Sequence, residues 1–311
     1  MSENRAYLPE GWHEFPRLSL EQLRLAALNG DIIRGTVVRC SSDCTLTVSL
    51  GNVQGHIPRE EAVAPWISGA TRDISILSMV GKQISFTVKS IDSDEKGAPT
   101  LLLSRREAQE KTMEFFLGAL RPGMILACKV THLTHFGAFL DIGCGIVAML
   151  PIELISISRL THTAERFQKG QKILAVVKNF DSQTRRITMT HRELLGTWME
   201  NASLFSVGDT VEGVVRSVKE YGSFIELTPN LSGLAENRIA LAPGNRVSVY
   251  IKNIRPEQMK IKLQIIEKLP PLNMPRELNY HITSGYLDHW IYSPSNCEKE
   301  VVETIFTASD P

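Results

Sequence analysis

The sequence predicts a mainly β chain made of three tandem five-stranded barrels joined by short helical linkers. Three observations predict it. A unit of about 65 residues recurs three times. Within each unit, apolar and polar residues alternate with period two. Glycine-marked turns fall at matching places in each copy.

The middle copy runs Pro122-Gly123-Met124-Ile125, Val130-Thr131-His132, then Phe136-Gly137-Ala138-Phe139-Leu140-Asp141-Ile142-Gly143. The third runs Val207-Gly208-Asp209-Thr210-Val211, Val214-Val215-Arg216, then Tyr221-Gly222-Ser223-Phe224-Ile225-Glu226-Leu227. The first runs Asn29-Gly30-Asp31-Ile32-Ile33, Thr36-Val37-Val38, then Thr45-Leu46-Thr47-Val48-Ser49-Leu50-Gly51. A short apolar strand follows in each: Gly55-His56-Ile57-Pro58, Ala148-Met149-Leu150-Pro151 and Gly233-Leu234-Ala235-Glu236. After a looser segment, strand pairs begin at Gly81, Gly170 and Gly244. They finish at Leu101-Leu102-Leu103, Ile187-Thr188-Met189 and Ile261-Lys262-Leu263. Five short strands with one longer connection between the third and fourth fit the OB-fold.

The chain therefore divides into an N-terminal segment with a short helix (1–30), a degenerate barrel (31–104), a second barrel (121–193), a third (207–268) and an extension (269–311). Residues 20–28 have apolar residues at helical spacing, with Ser19 as N-cap and Asn29-Gly30 as the stop. Residues 105–120 and 191–201 read as helical links that hold the barrels semi-rigidly. The extension carries Tyr280, Tyr286, Trp290 and Tyr292, too aromatic for a disordered tail. It is expected to fold on the third barrel or to meet a partner.

The formal net charge is zero, but it is unevenly spread. Residues 121–195 carry roughly +5 and 208–268 roughly +2, against roughly −1 for 31–104 and −4 for the extension, and a polyanion feels local potential. No apolar run of about 18 residues is present and the first eleven residues are polar, so neither a membrane span nor a signal peptide is expected. The five cysteines, an odd count without CxxC spacing, argue against a zinc ribbon and a disulfide framework. His132 and His135 lack a third ligand at fixed spacing, so no metal is expected. Gly143-Cys144-Gly145 is not followed by a helix bearing Lys-Ser or Lys-Thr and reads as a hairpin turn. No catalytic motif occurs, so neither enzyme activity nor a cofactor is expected.

The informative residues are aromatics on the second strand. Alternation turns Ala138 and Ser223 inward. Phe139 and Phe224 then point outward, with Phe136 and Tyr221 beside them at the strand entry. A base stacked on such a ring contributes about 1–3 kcal/mol. The other use of such rings is packing under a loop or against a neighbouring barrel. Basic residues lie nearby: Lys129, His132 and His135 before the middle pair, Arg185 and Arg186 on its closing hairpin, Arg216 and Lys219 before the third pair, and Lys260 closing it. The candidate RNA-binding set is Phe136, Phe139, His135, Lys129, Arg185, Arg186, Tyr221, Phe224, Lys219 and Lys260.

The string Gly123…Phe136-Gly137-Ala138-Phe139-Leu140-Asp141…Gly170-Gln171…Asp181…Arg186-Ile187 resembles the RNA-binding domain named after bacterial small-subunit ribosomal protein S-one. The likeness covers residues of about 31–268, strongest in the middle copy and weakest in the first. Val130-Thr131-His132-Leu133, Leu194-Leu195-Gly196-Thr197-Trp198 and Val249-Tyr250-Ile251-Lys252 resemble the short, clostridia-type versions of that ribosomal protein. The resemblance implies a binding face of two aromatics on strand two, a residue after strand three that is often His, and an Asp and Arg at the last hairpin. The middle copy supplies Phe136, Phe139, Asp181 and Arg186, with Pro151 at the His position. The third supplies Tyr221, Phe224 and Lys260, with Glu236 at the His position and Arg255 at the Asp position. The first has Cys44 and Thr47 in place of the aromatics and Thr100 in place of the Arg.

Three roles stand open on this reading. The first is a cytoplasmic, ribosome-associated protein that captures single-stranded mRNA for translation. Its residues 1–104 would contact proteins of the small subunit. The second is a free RNA-binding regulator or RNA-decay factor. The third is an OB-fold adaptor for protein or oligosaccharide.

Overall fold

A computed structural model of the protein describes residues 7–13, 18–51, 53–67, 73–93, 97, 99–237, 240–271 and 277–306. The first six residues of the polar N-terminus and residues 272–276 and 307–311 of the extension lie outside the described residues.

Helix α1 (Leu20–Asn29) starts at Ser19, whose hydroxyl accepts from the Gln22 N–H while the Gln22 side chain accepts from the Ser19 N–H. It stops at Gly30, which takes the left-handed conformation that only glycine adopts cheaply. The first barrel follows: β1 (Ile33–Cys40), β2 (Leu46–Ser49), β3 (Gln54–Ile57), a short helix α2 (Asp73–Leu77), β4 (Gln83–Ser93) and β5 (Pro99–Ser104). Helix α3 (Arg105–Ala119) links it to the second barrel, formed by β6 (Ile125–Leu133), β7 (Gly137–Gly143), β8 (Ile146–Pro151), β9 (Lys172–Asp181) and β10 (Arg186–Thr190). The third barrel comprises β11 (Thr210–Lys219), β12 (Gly222–Thr228), β13 (Leu231–Ala235), β14 (Arg246–Arg255) and β15 (Lys260–Leu269).

All three close in the same way. Strands one, two and three run in order, and strand five pairs in parallel with strand three before strand four returns to strand one. Closure removes free sheet edges, so small barrels can stand in tandem. Each interior is filled by the inward members of the alternation. In the middle barrel these include Ala138, Leu140, Ala148, Leu150, Ala175 and Val177, and Phe167 packs into the same core. Alternation of alanines with larger residues fits side chains to the taper of a small barrel.

The second linker differs from the expected single helix. A 3₁₀ turn (Arg192–Leu195) breaks at Gly196, whose φ of 83° and ψ of 163° interrupt the helix, and α4 (Trp198–Ala202) starts afresh on a Thr197 cap. The break delivers Trp198 into the core of the third barrel.

The extension spans two barrels rather than one. Trp290 and Tyr292 bury in the third core, where β16 (His289–Ile291) pairs with β17 (Glu303–Ile305). Tyr280, Ile282, Leu287 and Phe306 pack on Val176 and Leu194 of the second barrel and its linker. The Tyr280 hydroxyl accepts from the Leu174 N–H and lies 3.2 Å from Nε2 of buried His191. Nδ1 of His191 lies 2.8 Å from the Ile155 carbonyl. The His191 Nδ1–H therefore donates to that carbonyl, and Nε2 accepts from the tyrosine.

Leu287 also donates its N–H to the Gly123 carbonyl at 2.9 Å. Gly123 has φ 93°, and a Cβ there would run into the Leu287 carbonyl oxygen. Gly123→Ala is therefore expected to cost about 1–3 kcal/mol. It should also loosen the extension, seen as a lower denaturation midpoint together with faster proteolysis after residue 270.

Candidate nucleic-acid interface

The registers place five residues, one per strand, in a row around the outside of each barrel. In the middle barrel the row is His132, Phe139, Met149, Thr188 and Asn179. In the third it is Ser217, Phe224, Leu234, Lys262 and Asn253. In the first it is Arg39, Thr47, His56, Leu102 and Ser90. Asparagine at matching positions of the second and third rows, Asn179 and Asn253, was not among the expected residues.

Ala138 and Ser223 are fully buried, and the rings beside them face out as alternation requires. Phe136 and Phe139 meet edge-to-face at 6.1 Å and 88°. Tyr221 and Phe224 do so at 6.2 Å and 89°. An edge-to-face pair is a favoured arrangement and leaves a ring face free. Phe136 is 45% exposed and Tyr221 67%, so these two rings are not spent on packing under a loop, while Phe139 and Phe224 are half-buried beside them.

The middle pair is extended by two imidazoles. His135 stands edge-on to Phe136 at 5.2 Å, and His132 lies 6.1 Å from Phe139. Four aromatic rings thus form one platform. The third barrel has Ser217 and Glu220 at the positions of His132 and His135, which leaves its platform with two rings and one carboxylate. The first barrel has none: Cys44 is buried at a left-handed turn residue, and Thr47 replaces the second ring.

The basic residues divide into those beside the rings and those used elsewhere. Lys219 is exposed next to Tyr221, and Lys260 lines a groove of about 660 Å³ with Tyr221 and Phe224. Arg186 is exposed in register with Asp181, whose carboxyl is held low chiefly by Thr184. Arg185 lies over the Trp66 ring of the first barrel at 5.2 Å, a cation–π contact that commits one face of its guanidinium.

Lys129 departs from the expected role. Its Nζ donates to the Glu10 carbonyl at 2.8 Å, so it serves the contact with the N-terminal segment. Arg216 is committed too. It donates to Glu226 at 2.8 and 3.0 Å and to Glu165 at 2.6 Å. The reason is a β-bulge. The first strand of each barrel shifts register at the same place, at Val38, Thr131 and Arg216. A bulge re-aims the side chain it carries, and Arg216 turns into the seam between barrels.

Asp141 and Glu226 follow the rings on the outward face, yet both are buried. Asp141 accepts from the N–H groups of Glu10, Gly143 and Gly145. Burial and the adjacent Glu10 carboxylate push its carboxyl up to about 7. Glu10 itself is clasped by Arg105 at 2.9 and 3.1 Å, which ties the first barrel's helix to the second barrel. At the second seam Arg166 grips Glu226 at 2.9 and 2.7 Å, and Ser158 meets Pro229 and Ser232. Burial would raise the Glu226 carboxyl, but Arg166 and Arg216 hold it down to about 2.

Among the described residues no group of three or more His, Cys, Asp or Glu is placed to hold a metal ion. Among them, too, no helix is long and apolar enough to cross a membrane.

Residues 120–192 match the S1 RNA binding domain family. Most of the chain is similar to small ribosomal subunit protein bS1 of Staphylococcus aureus (strain MRSA252), 29% identical over 276 residues, covering 84% of this chain and 67% of that protein. The bS1 of Leuconostoc lactis is 27% identical over 286 residues, covering 86% and 64%. Among solved structures, a multidomain protein with nucleic acid binding domains from Streptococcus pneumoniae TIGR4 aligns at 14% identity and TM-score 0.26, covering 76% of this chain and 74% of that one. The middle barrel, with its four-ring platform, thus matches the S1 RNA binding domain family, and the chain is similar to small ribosomal subunit protein bS1 over most of its length.

Proposed function

We propose that the chain is a single-stranded RNA-binding protein of the small ribosomal subunit type that helps capture mRNA for translation. One observation carries the reading. The same edge-to-face ring pair stands at the same place in two barrels, with its entry ring exposed and, in the third barrel, Lys260 lining the same groove. Rings stack bases of any sequence, and lysine and arginine neutralise the phosphates between them. The chain works by binding, not by catalysis, in the cytoplasm and on the ribosome.

The first barrel has a different part. It lacks the ring pair but exposes Val38, Ile74, Leu77 and Val80. Ile74 and Leu77 share a face of α2 by their spacing. Backbone bonds join Val37 to Gly81 and Lys82, which brings Val80 next to Val38. An apolar patch on an otherwise polar barrel suits a protein partner. We assign residues 1–104 to contact with proteins of the small subunit, leaving the second and third barrels to the RNA.

Two measurements test this. Anisotropy titration of a labelled single-stranded RNA is expected to show log affinity falling linearly with log salt, by about 0.7 per phosphate contact. The chain should also co-sediment with small ribosomal subunits at moderate salt and lose that association when Ile74 and Leu77 are both changed to Ser. Salt-independent or absent RNA affinity would favour a protein or oligosaccharide adaptor. RNA affinity without co-sedimentation would favour a free regulator.

A further inference from the structure

The groove beside Tyr221 and Phe224 has walls from two distant parts of the chain. Arg255, Lys260 and Lys262 come from the last two strands of the barrel, and Lys299 comes from the extension. Lys262 is 3.5 Å from Glu236, an exposed pair of little strength. Arg255, Lys260 and Lys299 form no ion pair among the described residues. Glu236 is the one carboxylate in the lining, so the four cations leave the groove with a formal charge of +3, a potential that suits an anionic ligand.

The placement of Lys299 is built. The Glu298 N–H donates to the Glu257 carbonyl, on the turn between β14 and β15, at 2.8 Å. On the far side the Val302 N–H donates to the Ser293 hydroxyl at 2.9 Å. Trp290 and Tyr292 anchor the same segment in the barrel core. The segment is otherwise acidic: Glu298 and Glu300 flank the lysine, and the groove is lined by Lys299 alone among the three. The fold thus selects the one cation of an acidic stretch and sets it in the groove that the rings line.

We propose that Lys299 is a phosphate contact for single-stranded RNA bound in this groove, so that the extension is a wall of the binding site as well as a clamp on two barrels. The proposal rests on the reading of Tyr221 and Phe224 as base-stacking rings. Phosphate contacts of this kind position the strand while the rings take the bases. They also compensate for what the third barrel lacks, since it has no imidazoles beside its ring pair.

The test uses the full chain and a short fluorescein-labelled oligouridylate, with dissociation constants measured by anisotropy over a series of potassium chloride concentrations. Lys299→Ala is expected to weaken binding about 2- to 10-fold at low salt and to reduce the slope of log affinity against log salt by about 0.7. Lys299→Arg should restore both. Lys268→Ala, an exposed lysine outside the groove, should change neither. Thermal unfolding of Lys299→Ala should match the parent, because the side chain is exposed. An unchanged constant and slope for Lys299→Ala, with Phe224→Ala still weakening binding, overturns the assignment of Lys299 and leaves the ring reading standing. Loss of no affinity in a folded Phe224→Ala overturns both.

Discussion

Replacing Phe139 by alanine is expected to weaken binding of single-stranded RNA by about 1–3 kcal/mol, a loss of roughly 5- to 150-fold. Phe139 is the centre of the middle platform, in contact range of Phe136 on one side and His132 on the other. Its removal takes away one stacking face and also the edge that orients Phe136. The barrel core lies on the opposite face, at Ala138, Leu140 and their neighbours, so the thermal transition should move little. Phe224→Ala should show the same kind of loss, with the larger effect at Phe139 because four rings are grouped there against two. The two platforms share no side chain, so the losses should add in the double variant. Unchanged affinity in both single variants and the double one would remove stacking as the mechanism.

Glu226→Gln is expected to cost about 3–5 kcal/mol of stability, the largest single effect outside the cores. The carboxylate is 1% exposed and pairs with Arg166, itself 5% exposed, and with Arg216. Removing its charge leaves a buried guanidinium with no counter-ion. Denaturant unfolding of the full chain should show the second and third barrels separating into distinct transitions. The pH dependence has a definite sign. The Glu226 carboxyl lies at about 2 in the folded chain against an ordinary value of 4.5. Its stabilisation is therefore complete above about pH 4.5 and is lost as the pH falls toward about 2. Glu226→Gln should flatten acid unfolding in that window. An acid transition of unchanged steepness would show that the seam does not depend on this charge.

Much of this was legible in the sequence, and the failures share one cause. Period-two alternation reports the inside and outside of a single barrel. It placed Ala138 and Ser223 inward and their neighbouring rings outward, and it located both platforms. It does not report what a neighbouring barrel covers. Asp141 and Glu226 are outward by alternation and buried by the adjoining unit. Lys129 and Arg216 are close to the rings along the chain, yet one is taken by Glu10 and the other by Glu226. Arg216 could not have been placed by counting, because the bulge at that residue breaks the alternation. The second linker reads as one helix by composition, yet Gly196 takes a φ of 83° and ψ of 163° that no helix contains and splits it in two. Lys299 carries no periodic signal. It reaches the groove only through the anchoring of Trp290 and Tyr292, which sequence spacing does not encode.

The Arg166–Glu226–Arg216 seam, together with the extension that crosses it, fixes how far apart the two ring platforms stand. That fixed distance sets an effective concentration. Once a strand stacks on one platform, its next reachable segment meets the other as an intramolecular event, without the dilution a floppy tether would impose. A strand long enough to span both gains about 10²- to 10⁴-fold in avidity, whereas a shorter one gains nothing. If both platforms stack bases as proposed, a rigid pair of weak, sequence-tolerant sites measures length, and it is expected to favour an extended, unpaired stretch of RNA over short loops that expose the same bases.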